Sequence, residues 1–89
     1  MSPLVFREGK FVFWFHSYDV LHENRASIHV GKGSQNDAGD AKIWLEPQIE
    51  IGRPGRTLSR SELNDAIEIV GRNLDRLQEA WNAHKRKAE

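Results

Sequence analysis

Four histidines, His16, His22, His29 and His84, are the first residues in this chain that invite chemistry. A positioned imidazole can move protons, ligate a metal or face a phosphate. His22 and His29 flank an irregular stretch with Asp19 and Glu23 close by, but no spacing matches a standard zinc or iron site. His22-Glu23 also lacks the second histidine of the helical zinc motif. His29 and Glu46 would form an acid–base pair if their strands are neighbours. No serine sits in a recognisable nucleophile turn, and there is no cysteine, which excludes disulfides, thiolate metal sites and cysteine nucleophiles together. Gly31-Lys32-Gly33-Ser34 has the flavour of a phosphate loop without the glycine spacing that must precede the lysine. This reading assigns no catalytic residue, no metal and no cofactor, and leans away from an enzyme.

The elements that must position these residues are legible in the pattern. Val5-Phe6 and the run from Phe11 to His16 flank Gly9 and read as a hairpin of β-branched and aromatic residues. Residues 17–25 read as polar and irregular. Ala26–Val30 and Ala41–Glu46 read as a third and a fourth strand, the latter stopped by Pro47, and Gln48–Ile51 as a short edge strand. Between them, 31–40 (GKGSQNDAGD) reads as a mobile loop. Alternation puts Ile28, Val30, Ala41, Ile43 and Leu45 on a core face. Ser27, His29, Lys42, Trp44 and Glu46 fall on the opposite face, with Trp14 and His16 on the same side. An aromatic, imidazole and ammonium surface of this kind is a candidate binding face.

The sharpest local signal is Ser59-Arg60-Ser61-Glu62, a capping box, with Leu58 and Leu63 placed for its hydrophobic staple. Leu63, Ile67, Val70, Leu74, Leu77, Trp81 and His84 then recur at four- and three-residue steps, predicting a long helix over about 60–86. Such a helix would be roughly 40 Å long, against strands of about 20 Å. Either it bends near Gly71, or its C-terminal half, with Leu74, Leu77, Trp81 and His84, packs on another chain. The second is the expectation here, because a kink usually needs more than one glycine.

Together these features predict one α+β domain over 1–89: a small antiparallel sheet of about four strands within 3–51, then the helix. With 89 residues, 13 basic and 13 acidic side chains, the chain lacks the basic excess of a dedicated nucleic-acid binder. Lys85-Arg86-Lys87 suits the negative end of a helix dipole. No apolar run approaches a membrane span, and the start lacks a signal-peptide pattern, so a cytoplasmic location is expected.

The ordered set Ser2-Pro3-Leu4-Val5-Phe6, Ile28-His29-Val30, Ala41-Lys42-Ile43-Trp44-Leu45-Glu46-Pro47, Leu58-Ser59 with Glu62-Leu63, and Glu79-Ala80-Trp81 with His84 resembles Domain of Unknown Function 4160, a family of small prokaryotic proteins. The resemblance implies a third strand reading Pro-Pro-His-hydrophobic-His-Val. Here Ser27 stands in place of its first histidine and His29 in place of its second. It also implies a setting in two-gene toxin–antitoxin-like or defence-associated modules, paired with another small protein. The leading expectation is therefore a non-catalytic protein-binding or regulatory module. It would use Trp44, His29 and Lys42 on the sheet and the helix seam for a protein partner or a homodimer. The alternative is a nucleic-acid-directed protein, a ribonuclease-like toxin or a regulator, with Arg25, His29, Lys42 and Trp44 meeting base and phosphate.

Overall fold

The computed structural model describes residues 3–88, so Ser2 of the opening motif lies outside it. The chain is α+β. Five strands, β1 (Leu4–Glu8), β2 (Phe11–Trp14), β3 (Ser27–Lys32), β4 (Ala41–Trp44) and β5 (Glu50–Arg53), form an antiparallel sheet in sequence order. Three helices accompany it: α1 (Ser17–His22), α2 (Arg60–Arg72) and α3 (Leu74–Ala88). Gly9 turns the first hairpin with φ 58°, which favoured two-residue hairpin turns require at their first central position. The edge strand expected near residues 48–51 is β5, a full member of the sheet, and the stretch expected to be irregular contains α1.

The two faces divide as the alternation predicts. Phe11, Phe13, Ile28, Val30, Ala41, Ile43 and Leu45 join Leu63, Ala66, Ile69, Val70, Leu77 and Trp81 in the hydrophobic core. Val12, Trp14, Ser27 and His29 are also buried, but they lie on the opposite face, under the 33–40 loop and the start of α1.

The long helix is interrupted. At Asn73 the backbone N–H turns back to Val70 O (3.1 Å) and the side-chain Nδ2 donates to Ile69 O (2.8 Å). Asn73 O then receives Leu77 N, opening α3. Asparagine offers the backbone this local alternative to the helical ladder; the break falls there, two residues past Gly71. It corrects the expectation of one straight helix. Redirected, α3 buries Leu77 and Trp81 in the chain's own core, with 0% and 1% of their surface exposed. Leu74 is half-buried against that core. The seam expected to meet another chain is thus filled from within, and Leu77 and Trp81 present no surface for a homodimer. Gly71 stays in a helix, and an added Cβ would meet Ile49 Cδ1 at 3.8 Å, an ordinary contact. Gly71→Ala should therefore stabilise the fold by about 0.5–1 kcal/mol, seen as a higher midpoint in urea denaturation.

The start of α2 is as its sequence predicts. Ser59 N donates to Glu62 Oε1 (2.8 Å) and Glu62 N to Ser59 Oγ (3.2 Å), while Leu58 and Leu63 are both buried. Glu62 also receives Lys10 (2.9 Å) and Lys32 (3.1 Å). The Ser59 backbone bond first, and then the two ammonium groups, lower its pKa from 4.5 to about 2. A lowered folded pKa means stability that is present above 4.5 and lost as pH falls through about 2. Glu62→Gln should thus lower the melting temperature at neutral pH, and the gap to wild type should close on acidification through that window.

Candidate functional site

The site lies on the outer face of β2, β3 and β4. Trp14, His29 and Lys42 are direct cross-strand neighbours, Trp14 opposite His29 and His29 opposite Lys42. The Trp14 and His29 rings stack at 4.6 Å. Trp44, opposite Ser27, lies under two cations, the Arg25 guanidinium at 4.2 Å and Lys42 Nζ at 4.4 Å. The structure therefore brings together the three sheet residues singled out from sequence. His84 lies elsewhere, its ring edge-on to Phe15 at 5.4 Å.

The organising residue is Asp19, which the sequence offers only as an acid near His22 and His29. Asp19, on α1, is buried and places Oδ2 2.9 Å from His29 Nε2 and 3.4 Å from Lys42 Nζ. Lys42 also meets Glu23 Oε1 at 2.9 Å. α1 is held in place by Lys85 of α3, which donates to Val20 O (3.1 Å) and Glu23 O (2.9 Å) at the helix's C-terminal end, where a cation is favoured. Glu46 has a different task from the acid–base role considered for it: its Oε1 accepts from Ala26 N.

Burial, the largest influence, lowers the His29 pKa from 6.5, and the opposing pull of Asp19 does not recover it. For Asp19, burial pushes upward most strongly, but His29 and Lys42 together outweigh it and the net shift is down. At neutral pH the pair is therefore a neutral imidazole donating Nε2–H to a carboxylate. His29 Nδ1 is then a bare lone pair, buried and without a hydrogen-bond partner among the described residues. A carboxylate-oriented imidazole is the arrangement of a general base. Here the free nitrogen is closed off from solvent, and the nearby hydroxyl, Ser27 Oγ, lies 3.4 Å from the same Asp19 oxygen. Both shifts weaken the site in acid. The His29 contribution is complete above 6.5 and lost below it, and that of Asp19 is lost as pH falls through its own lowered value. The His29 ring protons should titrate below 6.5 by NMR, and Asp19→Asn should move that titration lower still.

Asp40 closes the face from the other side. It is fully buried and accepts from Trp14 Nε1 (2.9 Å), Asn36 N (2.9 Å) and Thr57 Oγ1 (2.7 Å). The carboxylate lies on Gly31, where a Cβ would come within 2.2 Å of Asp40 Oδ2. Asp37, in the same loop, reaches His16 Nε2 at 3.5 Å. The segment expected to be a mobile loop is thus tied across the sheet by a buried carboxylate.

The family model described as "Domain of unknown function (DUF4160)" matches residues 11–82. The chain belongs to this family. No curated protein and no solved structure matches it. The third strand of this DUF4160 chain shows what its serine does: Ser27 and His29, two residues apart on one face, both address Asp19. A second imidazole beside His29 comes from His16, with ring centroids 5.4 Å apart. His22 turns outward onto Tyr18 instead. Among the described residues, no three histidine, aspartate or glutamate side chains form a group able to hold a metal ion, and no helix is long and apolar enough to cross a membrane.

Proposed function

We propose that this chain is a non-catalytic protein-binding, regulatory module that works within a two-component toxin–antitoxin-like or defence-associated complex. The observation that carries the reading is the surface of α1. Its inner side supplies Asp19 and Val20, while Tyr18 and Leu21 are 61% and 55% exposed. Leu21 lines a groove with Pro3, Val20, His84 and Lys87, and Leu4, which follows Pro3, is 45% exposed. Large apolar side chains left in water around a groove mark a protein contact surface. His84, expected from sequence to meet a partner, lies in this groove.

The nucleic-acid alternative has less support. Lys42 is matched by Asp19 and Glu23, and Arg25 by Glu50. The cations around Trp44 are therefore already neutralised, and a phosphate would have to displace carboxylates.

The test is co-expression with the product of the adjoining gene. The expected result is a single co-eluting complex, weakened at least about tenfold by Tyr18→Asp with Leu21→Lys, two exposed positions that leave the fold intact. RNA or DNA binding that falls steeply with salt, and is lost in a folded His29→Ala variant, would replace this reading with the alternative.

A further inference from the structure

The far edge of the sheet carries a second and chemically different surface. β5 is exposed along its whole length and has a neighbour on one side only, β4. Ile51 pairs across from Ile43, on the core-facing side, yet it is 46% exposed. It opens onto a groove of about 370 Å³ shared with Pro54, Leu58, Leu63, Arg60 and Asn64. The chain is neutral overall, but residues 51–61 (IGRPGRTLSRS) hold three arginines and no acid. All three, Arg53, Arg56 and Arg60, are exposed. Arg53 donates to the carbonyls of Asp37 and Asp40, and none of the three is paired with a carboxylate among the described residues.

We propose that this edge docks an acidic, extended segment of a partner protein, which lies along β5 with one apolar side chain in the Ile51–Leu58–Leu63 groove and its carboxylates on the arginines. Charge complementarity selects the occupant. A second copy of the chain paired along this edge could set Glu50 against Arg53 but would leave Arg56 and Arg60 without carboxylates. The register also slips at Gly52, between the Lys42–Arg53 and Ile43–Ile51 pairs, and a bulge of this kind limits edge pairing to a short run. A short peptide fits such an edge better than a second sheet does. A nucleic acid would find the arginines but no aromatic platform in the groove lining, since Trp44 lies beneath Arg25 and Lys42 on the outer face. The assignment is independent of the α1 groove and stands or falls without it.

The test uses the full chain and fluorescent probes of equal length: a glutamate-rich peptide with a central leucine, the same peptide with serine at the centre, a lysine-rich counterpart, and a single-stranded oligonucleotide. Anisotropy should show binding of the leucine-centred acidic peptide, weaker by about tenfold for the serine version and for Arg56→Glu with Arg60→Glu. The lysine peptide should not bind. Absence of acidic-peptide binding, indifference to the arginine reversals, or tighter binding of the oligonucleotide would each overturn the assignment.

Discussion

Trp81→Ala should destabilise the chain by about 3–5 kcal/mol, the range for a large buried aromatic truncated in a core. Trp81 is 1% exposed, stands edge-on to Phe15 at 5.6 Å, and joins α3 to the sheet. A domain of this size holds only about 4–13 kcal/mol in total, so the variant should be largely unfolded in mild urea. The cause is internal packing, so raising the protein concentration should not rescue it. Had the seam been an interface, the loss would shrink as concentration rises. Urea denaturation at two concentrations a hundredfold apart distinguishes the cases. A cost under about 1 kcal/mol, or a strongly concentration-dependent one, would contradict the burial seen here.

Asp40→Ala should cost a similar amount, about 3–5 kcal/mol, by another route. Its carboxylate accepts from the Trp14 indole, the Asn36 amide and the Thr57 hydroxyl. Truncation leaves the buried indole without an acceptor, at about 1–3 kcal/mol, and takes the acceptor from the part-buried Asn36 amide and Thr57 hydroxyl, at about 0.5–1.5 kcal/mol each. Asp40→Asn retains one accepting oxygen and turns an amide towards the donors, so it should fall between wild type and alanine. The Trp14 indole proton reports the change directly: its NMR resonance should shift in both variants while the stability falls. An Asp40→Ala protein as stable as wild type would show that the 33–40 loop is not secured through this residue.

The sequence was most legible where one residue type has one strong structural use. Gly9 in its turn, the Ser59–Glu62 box and the alternation of β3 and β4 led directly to the observed sheet faces and helix start. The shared face of His29, Lys42 and Trp44 follows from that alternation, whereas Trp14 joins them only through the register of β2 on β3. α1 was opaque because six residues make less than two helical turns, too few for a periodicity to show. With it went Asp19, the partner of His29. Asp40 was hidden for a different reason: in a glycine-rich polar segment one acid looks like any other, and its burial depends on Trp14 and Thr57, far away in sequence. The break at Asn73 has no sequence signal because asparagine is tolerated inside helices, and its side-chain bond to Ile69 O is what marks the corner.

That corner shifts the functional surface. By turning α3 onto the sheet it uses Leu77 and Trp81 internally, and leaves Leu21 and His84 lining the proposed partner groove, with Tyr18 exposed beside Leu21 on α1. Lys85, reaching from α3 to the end of α1, ties the groove to the element that carries Asp19. The proposed contact surface on α1 and the Asp19–His29 pair therefore share one short helix.

The α1–α3 groove is the proposed partner site. Hydrogen exchange on the chain, alone and in complex with the adjoining gene's product, tests it most directly. Added protection is expected in residues 17–22 and in the last turns of α3 around His84. Protection confined to the outer sheet face around Trp44, with 17–22 unchanged, would contradict it.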